Sequence, residues 1–262
     1  MTELPDRKTI VDNERFTLSC TPPIFYDHGK QIDGPIATGT FFKIAERHFL
    51  ITAWHTFEDF KAERILIPRK PTSDDFIDMG KYEVIYPIEK EYDVCALEIV
   101  DPDALRHLKE NWHFLSLSNI GLPSRSGCFL LFGFPTSIRD ENSRIKSYQP
   151  LSAYASRLAV APDDAPDRLP GDLDLFFEYG GIVDVLDGGE RESPALHAVS
   201  GASVWELQAP SPSLWIPPRV IGVETSFHRG KYFRAVDWRV VAELLGFAYP
   251  HIRDQLHQHL GG

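Results

Sequence analysis

Short runs of β-branched and aromatic residues, each bounded by turn residues, recur along this chain and predict strands. A first group covers Thr38 to Ile44, His48 to Ala53, Arg64 to Ile67, Tyr82 to Tyr86 and Val94 to Val100. A second covers Gly127 to Phe134, Ser152 to Val160, Leu173 to Tyr179, Ser203 to Leu207, Val220 to Thr225 and Lys231 to Val236. Helical spacing appears at Asp101 to Trp112, where Asp101 can cap, Pro102 suits a first turn and Leu105, Leu108 and Trp112 share a face. It returns at Asp237 to Leu245, with Asp237 as cap, Trp238, Val241, Leu244 and Leu245 on one side and Gly246 as a stop. Pro250 separates this helix from a second amphipathic stretch ending near Leu260. Two acidic stretches containing Pro or Gly, Ala161 to Asp172 and Asp184 to Ser193, read as loops.

Two clusters of strands divided by one helix predict an all-β chain of two small barrels. Their bounds are residues 15–100 for the first barrel and 127–236 for the second, with a connection at 101–126 and a C-terminal helical segment at 237–262. At 262 residues the chain can bury a sizeable core. A formal net charge of -11 opposes binding to a phosphate backbone, so no nucleic-acid partner is expected. The first seven residues lack a basic start leading into an apolar run, and no apolar stretch is long enough to span a bilayer, so a cytoplasmic protein with no membrane partner is expected. Cys20, Cys95 and Cys128 are an odd, widely spaced set with neither a disulfide framework nor zinc-site spacing, which predicts buried free thiols. His251, His257 and His259 do not share the one-turn spacing of a helical metal pair. No metal or other cofactor is expected.

Three segments carry candidate chemistry, in this order: Leu50-Ile51-Thr52-Ala53-Trp54-His55, Tyr92-Asp93-Val94-Cys95-Ala96-Leu97 and Val199-Ser200-Gly201-Ala202-Ser203-Val204-Trp205. A hydroxyl is a poor nucleophile at neutral pH and needs an imidazole to take its proton, and that imidazole needs a carboxylate to fix its tautomer. A strand would deliver His55 to a barrel rim, Asp93 precedes a nearly continuous apolar strand, and Ser200 lies among small residues that let a substrate backbone approach. Taken singly, each has an ordinary structural reading: a histidine at a strand end, a turn aspartate capping N–H groups, a serine in a tight turn. Their conjunction points to nucleophilic catalysis.

The set resembles the chymotrypsin/trypsin-like serine peptidases from about Thr38 to the C-terminal helix. Leu50-Ile51-Thr52-Ala53-Trp54-His55 is similar to the family's Leu-Thr-Ala-Ala-His signature, with Trp54 where a small residue is usual. Gly39-Thr40-Phe41-Phe42 is similar to its Gly-Ser/Thr-Gly-Phe strand, Asp93-Val94-Cys95-Ala96-Leu97 to its aspartate segment, and Ser200-Gly201-Ala202-Ser203-Val204 to its Ser-Gly-Gly-Pro-Val. The resemblance implies two six-stranded antiparallel β-barrels with the active site in the cleft between them. It implies His55 as general base and acid, Asp93 as its orienter, Ser200 as nucleophile, and the backbone N–H groups of Ala198 and Ser200 as an oxyanion hole. It also implies Pro194, Thr225 and Ser226 as substrate-binding positions, with a protein or peptide as substrate. By analogy with small intracellular bacterial peptidases that another protein gates, it further implies a regulatory protein partner.

Ala198 stands where the family has Gly, and its Cβ can favour the opposite orientation of that peptide. Val199 replaces the Asp that pairs with a new N-terminus in zymogen-derived members, so that mode of activation is not implied. Ala198 and Trp54 motivate an alternative of another class, a peptidase-like binding or sensor module that kept the barrels and lost turnover. An esterase with a Gly-x-Ser-x-Gly elbow fits poorly, because Ala198 stands two before Ser200, a strand follows the serine, and His55 comes first.

Overall fold

A computed structural model describes residues 5–27, 34–58, 64–137, 139–140, 147–165, 169–180, 182–185, 189–208 and 215–261, with backbone alone at 139–140, 147, 182–185 and 189–191. Residues 166–168 and 186–188, inside the two acidic stretches, and the first four residues lie outside it. The chain opens with helix α1 (Arg7–Cys20), followed by β1 (Pro23–Tyr26), β2 (Ala37–Thr38), β3 (Thr40–Ile44) and β4 (Arg47–Ala53). A one-turn helix α2 (His55–Glu58) leads to β5 (Ile65–Pro68), β6 (Phe76–Asp78), β7 (Tyr82–Ile85), β8 (Val94–Ile99) and helix α3 (Pro102–Asn111). The second half contains β9 (Cys128–Gly133), β10 (Arg139–Asp140), β11 (Ser147–Tyr148), β12 (Leu151–Ser156), β13 (Asp174–Glu178), β14 (Ile182–Val185) and β15 (Gly189–Glu192). It ends in β16 (Ser203–Glu206), β17 (Arg219–His228), β18 (Tyr232–Asp237) and the helix pair α4 (Trp238–Ala248) and α5 (Pro250–Leu260).

The strands form three main antiparallel sheets, ordered β2-β1-β5-β6, β3-β4-β8-β7 and β12-β9-β16-β17-β18-β13, and two ribbons, β10-β11 and β14-β15. Two closed six-stranded barrels are therefore not what the hydrogen bonding describes. The N-terminal strands split into two four-stranded sheets, because β1 and β5 pair with each other and not with β3 and β4. The six-stranded sheet curls into a half-barrel whose outer strands approach at one isolated bridge, Arg157 to Phe177. The stretch expected as an acidic loop at Asp184 to Ser193 contains the β14-β15 ribbon.

β4 and β8 are buried along nearly their whole length, which is why both read as continuous apolar runs without alternation. One face of β4 places Leu50 in a core with Phe41, Leu97 and Trp112. The other places Phe49 and Ile51 in a core shared between the halves, with Phe132, Trp205, Val223 and Trp238. A third core fills the half-barrel around Phe129, Phe177 and Phe233. Each such side chain contributes about 1.5–3 kcal/mol by leaving water.

Asp101 and Asp237 cap their helices as their sequence positions predict: Asp101 accepts from the N–H groups of Asp103 and Ala104, Asp237 from that of Arg239. Gly246 does not stop α4, which continues to Ala248. The interval from 15 to 100 does not begin in strand, since residues 15–20 belong to α1, whose Phe16 ring packs on Trp205 of the second half at 5.9 Å. From the other end, Trp238 packs on Phe42 at 5.3 Å and Tyr249 on Phe49 at 5.9 Å. Arg47 bonds buried Glu98 at 2.6 Å and stacks over Tyr249, whose hydroxyl donates to the same carboxylate. All three cysteines are free thiols, Cys20 and Cys95 buried. Among the described residues no helix is long and apolar enough to cross a membrane.

Candidate active site

β4 ends two residues before His55. The Trp54 N–H donates to the Asp93 carbonyl at 3.2 Å, and the chain then turns into α2, with Trp54 stacked on Tyr86 at 4.4 Å. Asp93 closes a 3-10 turn, Lys90–Tyr92, in the left-handed region (φ 43°, ψ 38°), where Asp is tolerated better than most residues. Its carboxylate takes two bonds from one residue: Oδ1 accepts from the His55 backbone N–H at 2.8 Å, and Oδ2 lies 2.8 Å from Nδ1. An ionised carboxylate only accepts, so in the neutral imidazole Nδ1 carries the proton and Nε2 is left basic. The His55 side chain is 47% exposed and that of Asp93 19%, so the ring stands toward solvent with its carboxylate behind it.

The turn carrying Ser200 is accounted for group by group. Val199 N–H donates to Leu196 at 2.9 Å and Ala202 N–H to the Val199 carbonyl at 2.8 Å. The His197 carbonyl accepts from Thr136 N–H at 2.9 Å, and the Ala198 carbonyl from the Thr38 hydroxyl at 2.9 Å. The Ser200 carbonyl accepts from Thr38 N–H at 3.1 Å, and Gly201 N–H donates to the Glu224 carbonyl at 2.8 Å. Among the described residues the N–H groups of Ala198 and Ser200 have no acceptor. A trans peptide points its C=O and N–H in opposite directions, so both N–H groups face away from Thr136 and Ala202, which hold the preceding carbonyls.

Ala198 has φ +71°, whereas His197 does not share the positive sign. With the bond from Val199 to Leu196 this is a type II turn, in which the central peptide is flipped relative to type I and the third position favours glycine. Alanine therefore occupies the left-handed position despite its Cβ, at a cost of about 1–2 kcal/mol.

Gly201 (φ +92°) presses the turn onto the first half. A Cβ there would stand 2.0 Å from Thr52 Oγ1, 2.3 Å from the Thr38 carbonyl and 2.7 Å from Ala53 N. The strand that delivers His55 and the turn that carries Ser200 are thus in direct contact. His55 and Asp93 touch, and the turn that carries Ser200 is seated on β2 and on the end of β4, just before His55.

Pro194 is half-buried, and its carbonyl accepts from the Tyr179 hydroxyl at 2.7 Å. Thr225 is buried at a bulge between Glu224 and Ser226, and among the described residues its hydroxyl has no partner. Ser226 is half-buried opposite Arg234. Two sizeable concavities lie aside from these residues. One of about 420 Å³ is bordered by Arg125, Arg157 and Asp174, and one of about 390 Å³ by Tyr86, Tyr92 and Phe247.

Sequence reasoning did not single out three residues of this region: Thr38, which clamps the turn; Tyr86, which stacks on Trp54; and Glu224, buried beneath the serine. For Glu224 there was a signal, a carboxylate at the end of the apolar run Val220-Ile221-Gly222-Val223. Burial first, and the Asp93 charge second, push its pKa well up, while the nearby Ser200 hydroxyl opposes the shift. Burial and the same Asp93 charge push up the Cys95 thiol.

No family profile matches this chain, and no curated protein does. Its likeness is structural. A solved chain, from work on aromatic interactions driving the coupled folding and binding of the intrinsically disordered Sesbania mosaic virus VPg protein, is similar over 87% of this chain and 90% of its own length. The TM-score is 0.51 and the identity 14%. At that identity the likeness concerns the fold alone. In all, 446 solved chains match, and a shared architecture does not by itself select an activity.

Proposed function

We propose that this protein is a serine endopeptidase of the chymotrypsin/trypsin-like type, acting through an acyl-enzyme. The observation that carries the reading is the Asp93 carboxylate gripping both the backbone N–H and Nδ1 of His55, next to a serine turn with two uncommitted N–H groups. His55 Nε2 takes the Ser200 Oγ proton as Oγ attacks the peptide carbonyl, and Asp93 stabilises the imidazolium that forms. The N–H groups of Ala198 and Ser200 bind the developing oxyanion, and the type II geometry at Ala198 supports this role. The imidazolium then protonates the leaving amine, and water, activated by the same imidazole, releases the acid from Ser200. Pro194, Thr225 and Ser226 would contact a peptide or protein substrate, and a regulatory protein partner fits the same class.

One observation favours a second reading, a peptidase-like binding module: a carboxyl group, that of Glu224, is buried close to the Ser200 hydroxyl. Covalent labelling with a fluorophosphonate separates the two. An active site labels the wild type and neither Ser200→Ala nor His55→Ala. A folded wild type that does not label, or a Ser200→Ala variant that labels equally, overturns the peptidase reading.

A further inference from the structure

Two large hydrophobic side chains that the fold leaves in water stand on one groove. Ile88 is 84% exposed and Phe247 80%, the highest values for large hydrophobics among the described residues, and both border the concavity of about 390 Å³. One wall comes from residues 86–92, with Tyr86, Ile88, Glu89 and Tyr92, and another from α4, with Glu243 and Phe247. Exposed apolar side chains gathered at a concavity with a polar rim mark a contact surface.

The charges at the rim select the kind of partner. Among the described residues Glu89 has no ion pair. Glu243 reaches Arg253 only at 3.9 Å and His257 at 3.3 Å, both exposed contacts. Arg239, the cation bordering the groove, is bound to Asp237 at 2.8 Å. The rim is therefore acidic, and a second copy of this chain, with a formal net charge of -11 and the same rim, is repelled from it. A cationic segment is attracted.

The groove wall is also the chain that carries Asp93. Tyr86 stacks on Trp54, the residue before His55, with ring centroids 4.4 Å apart and planes 16° from parallel. The Trp54 N–H donates to the Asp93 carbonyl at 3.2 Å, Lys90 pairs with Glu58 of α2, and Tyr92 directly precedes Asp93. Residues 86–93 thus touch the groove on one side and the strand end and helix that hold His55 on the other. We propose that the groove docks a segment of a regulatory protein, one whose apolar side chains cover Ile88 and Phe247 and whose flanking Lys or Arg pair with Glu89 and Glu243. Docking ties residues 86–93 to α4 and steadies the grip of Asp93 on His55. This inference deepens the peptidase reading and rests on it for the meaning of the regulation, but not for the docking surface.

The probes are two short amphipathic peptides, one of leucine and lysine and one of leucine and glutamate, added to the full chain. Amide NMR shifts map where each binds, while the downfield Nδ1 proton of His55 and the rate of fluorophosphonate labelling report the site. The lysine peptide is expected to shift residues 86–92 and α4, to move the Nδ1 resonance and to raise the labelling rate about 5-fold or more, the low end of coupling between two sites. Ile88→Asp and Phe247→Asp alter side chains that stand in water, so the fold is kept, and each is expected to weaken binding about 10-fold or more. Glu89→Lys combined with Glu243→Lys is expected to transfer the preference to the glutamate peptide. Binding that maps elsewhere, or a preference that the charge exchange leaves unchanged, overturns the proposal. So does a wild type that dimerises, or sediments with phosphatidylcholine vesicles, and loses that property in Phe247→Asp, since a second copy or a membrane is then the occupant. Labelling that proceeds at an unchanged rate with the groove saturated overturns the regulatory role. A wild type that never labels, but whose Nδ1 resonance moves when the lysine peptide fills the groove, sustains the proposal and overturns the peptidase reading instead.

Discussion

Gly201→Ala tests whether the serine turn is seated on the first half as tightly as the geometry requires. The added Cβ would meet Thr52 Oγ1 at 2.0 Å, the Thr38 carbonyl at 2.3 Å and Ala53 N at 2.7 Å, two of them backbone atoms that cannot swing aside. Left-handed backbone at φ +92° costs about 1–2 kcal/mol for a residue with a Cβ, and forcing atoms into a packed site about 1–3 kcal/mol more. Relief by lifting the turn would sacrifice the bonds from Thr38 N–H to Ser200 and from the Thr38 hydroxyl to Ala198. The expected loss is about 2–5 kcal/mol, a fall of roughly 10 °C in Tm for a chain of this size. Gly230→Ala is the control: its φ is +75°, but nothing lies within 4 Å of the added Cβ, so only the backbone cost of about 1–2 kcal/mol applies. Thermal unfolding by circular dichroism gives both values, and fluorophosphonate labelling reports the site. If Gly201→Ala melts no lower than Gly230→Ala and labels at the wild-type rate, the close seating of turn on strand is wrong.

Ala198→Gly relieves left-handed strain but frees the unfolded chain, so it is expected to stabilise by about 0.5–1 kcal/mol and to leave labelling intact; a denaturant midpoint that falls would contradict the type II assignment. For Glu224, whose folded pKa is raised by burial and by Asp93, the native state holds a proton that the unfolded chain has released. Stability is then full below the unfolded value of about 4.3 and is lost as pH rises toward the folded value, at about 1.4 kcal/mol per pH unit in between. Glu224→Gln is expected to match the wild type near pH 4 and to exceed its Tm at pH 8, and parallel Tm curves across pH would refute the shift.

Most strands were legible because their burial is strong and many of their bounding turns contain Gly, Pro or Asp. The helices α3 and α4 were legible because a cap and an apolar face coincide. α1 was not, since its buried face is Asn13, Glu14, Thr17 and Cys20, largely polar, and Thr17 satisfies its hydroxyl on the carbonyls of Asn13 and Glu14. Sheet membership was illegible for another reason: a run such as Ile65 to Pro68 states that it is a strand but not which strand it pairs with, and here it joined β1 across a long connection. At the site, the contact of His55 with Asp93 followed from motif order. The conformation of Ala198 did not, because the bonds from Thr136, Thr38 and Val199 that fix its peptide come from tertiary structure. The role of Thr38 was hidden likewise, since it lies 160 residues before the carbonyl it clamps.

The two ends of the chain are exchanged between the halves. α1 lies against Trp205 of the second half, while the α4–α5 pair lies against Phe42, Phe49 and Glu98 of the first. The halves are consequently cross-laced rather than hinged. Prising them apart would strip both terminal helices from their seats at once, and the molecule resists that separation as a single mechanical object.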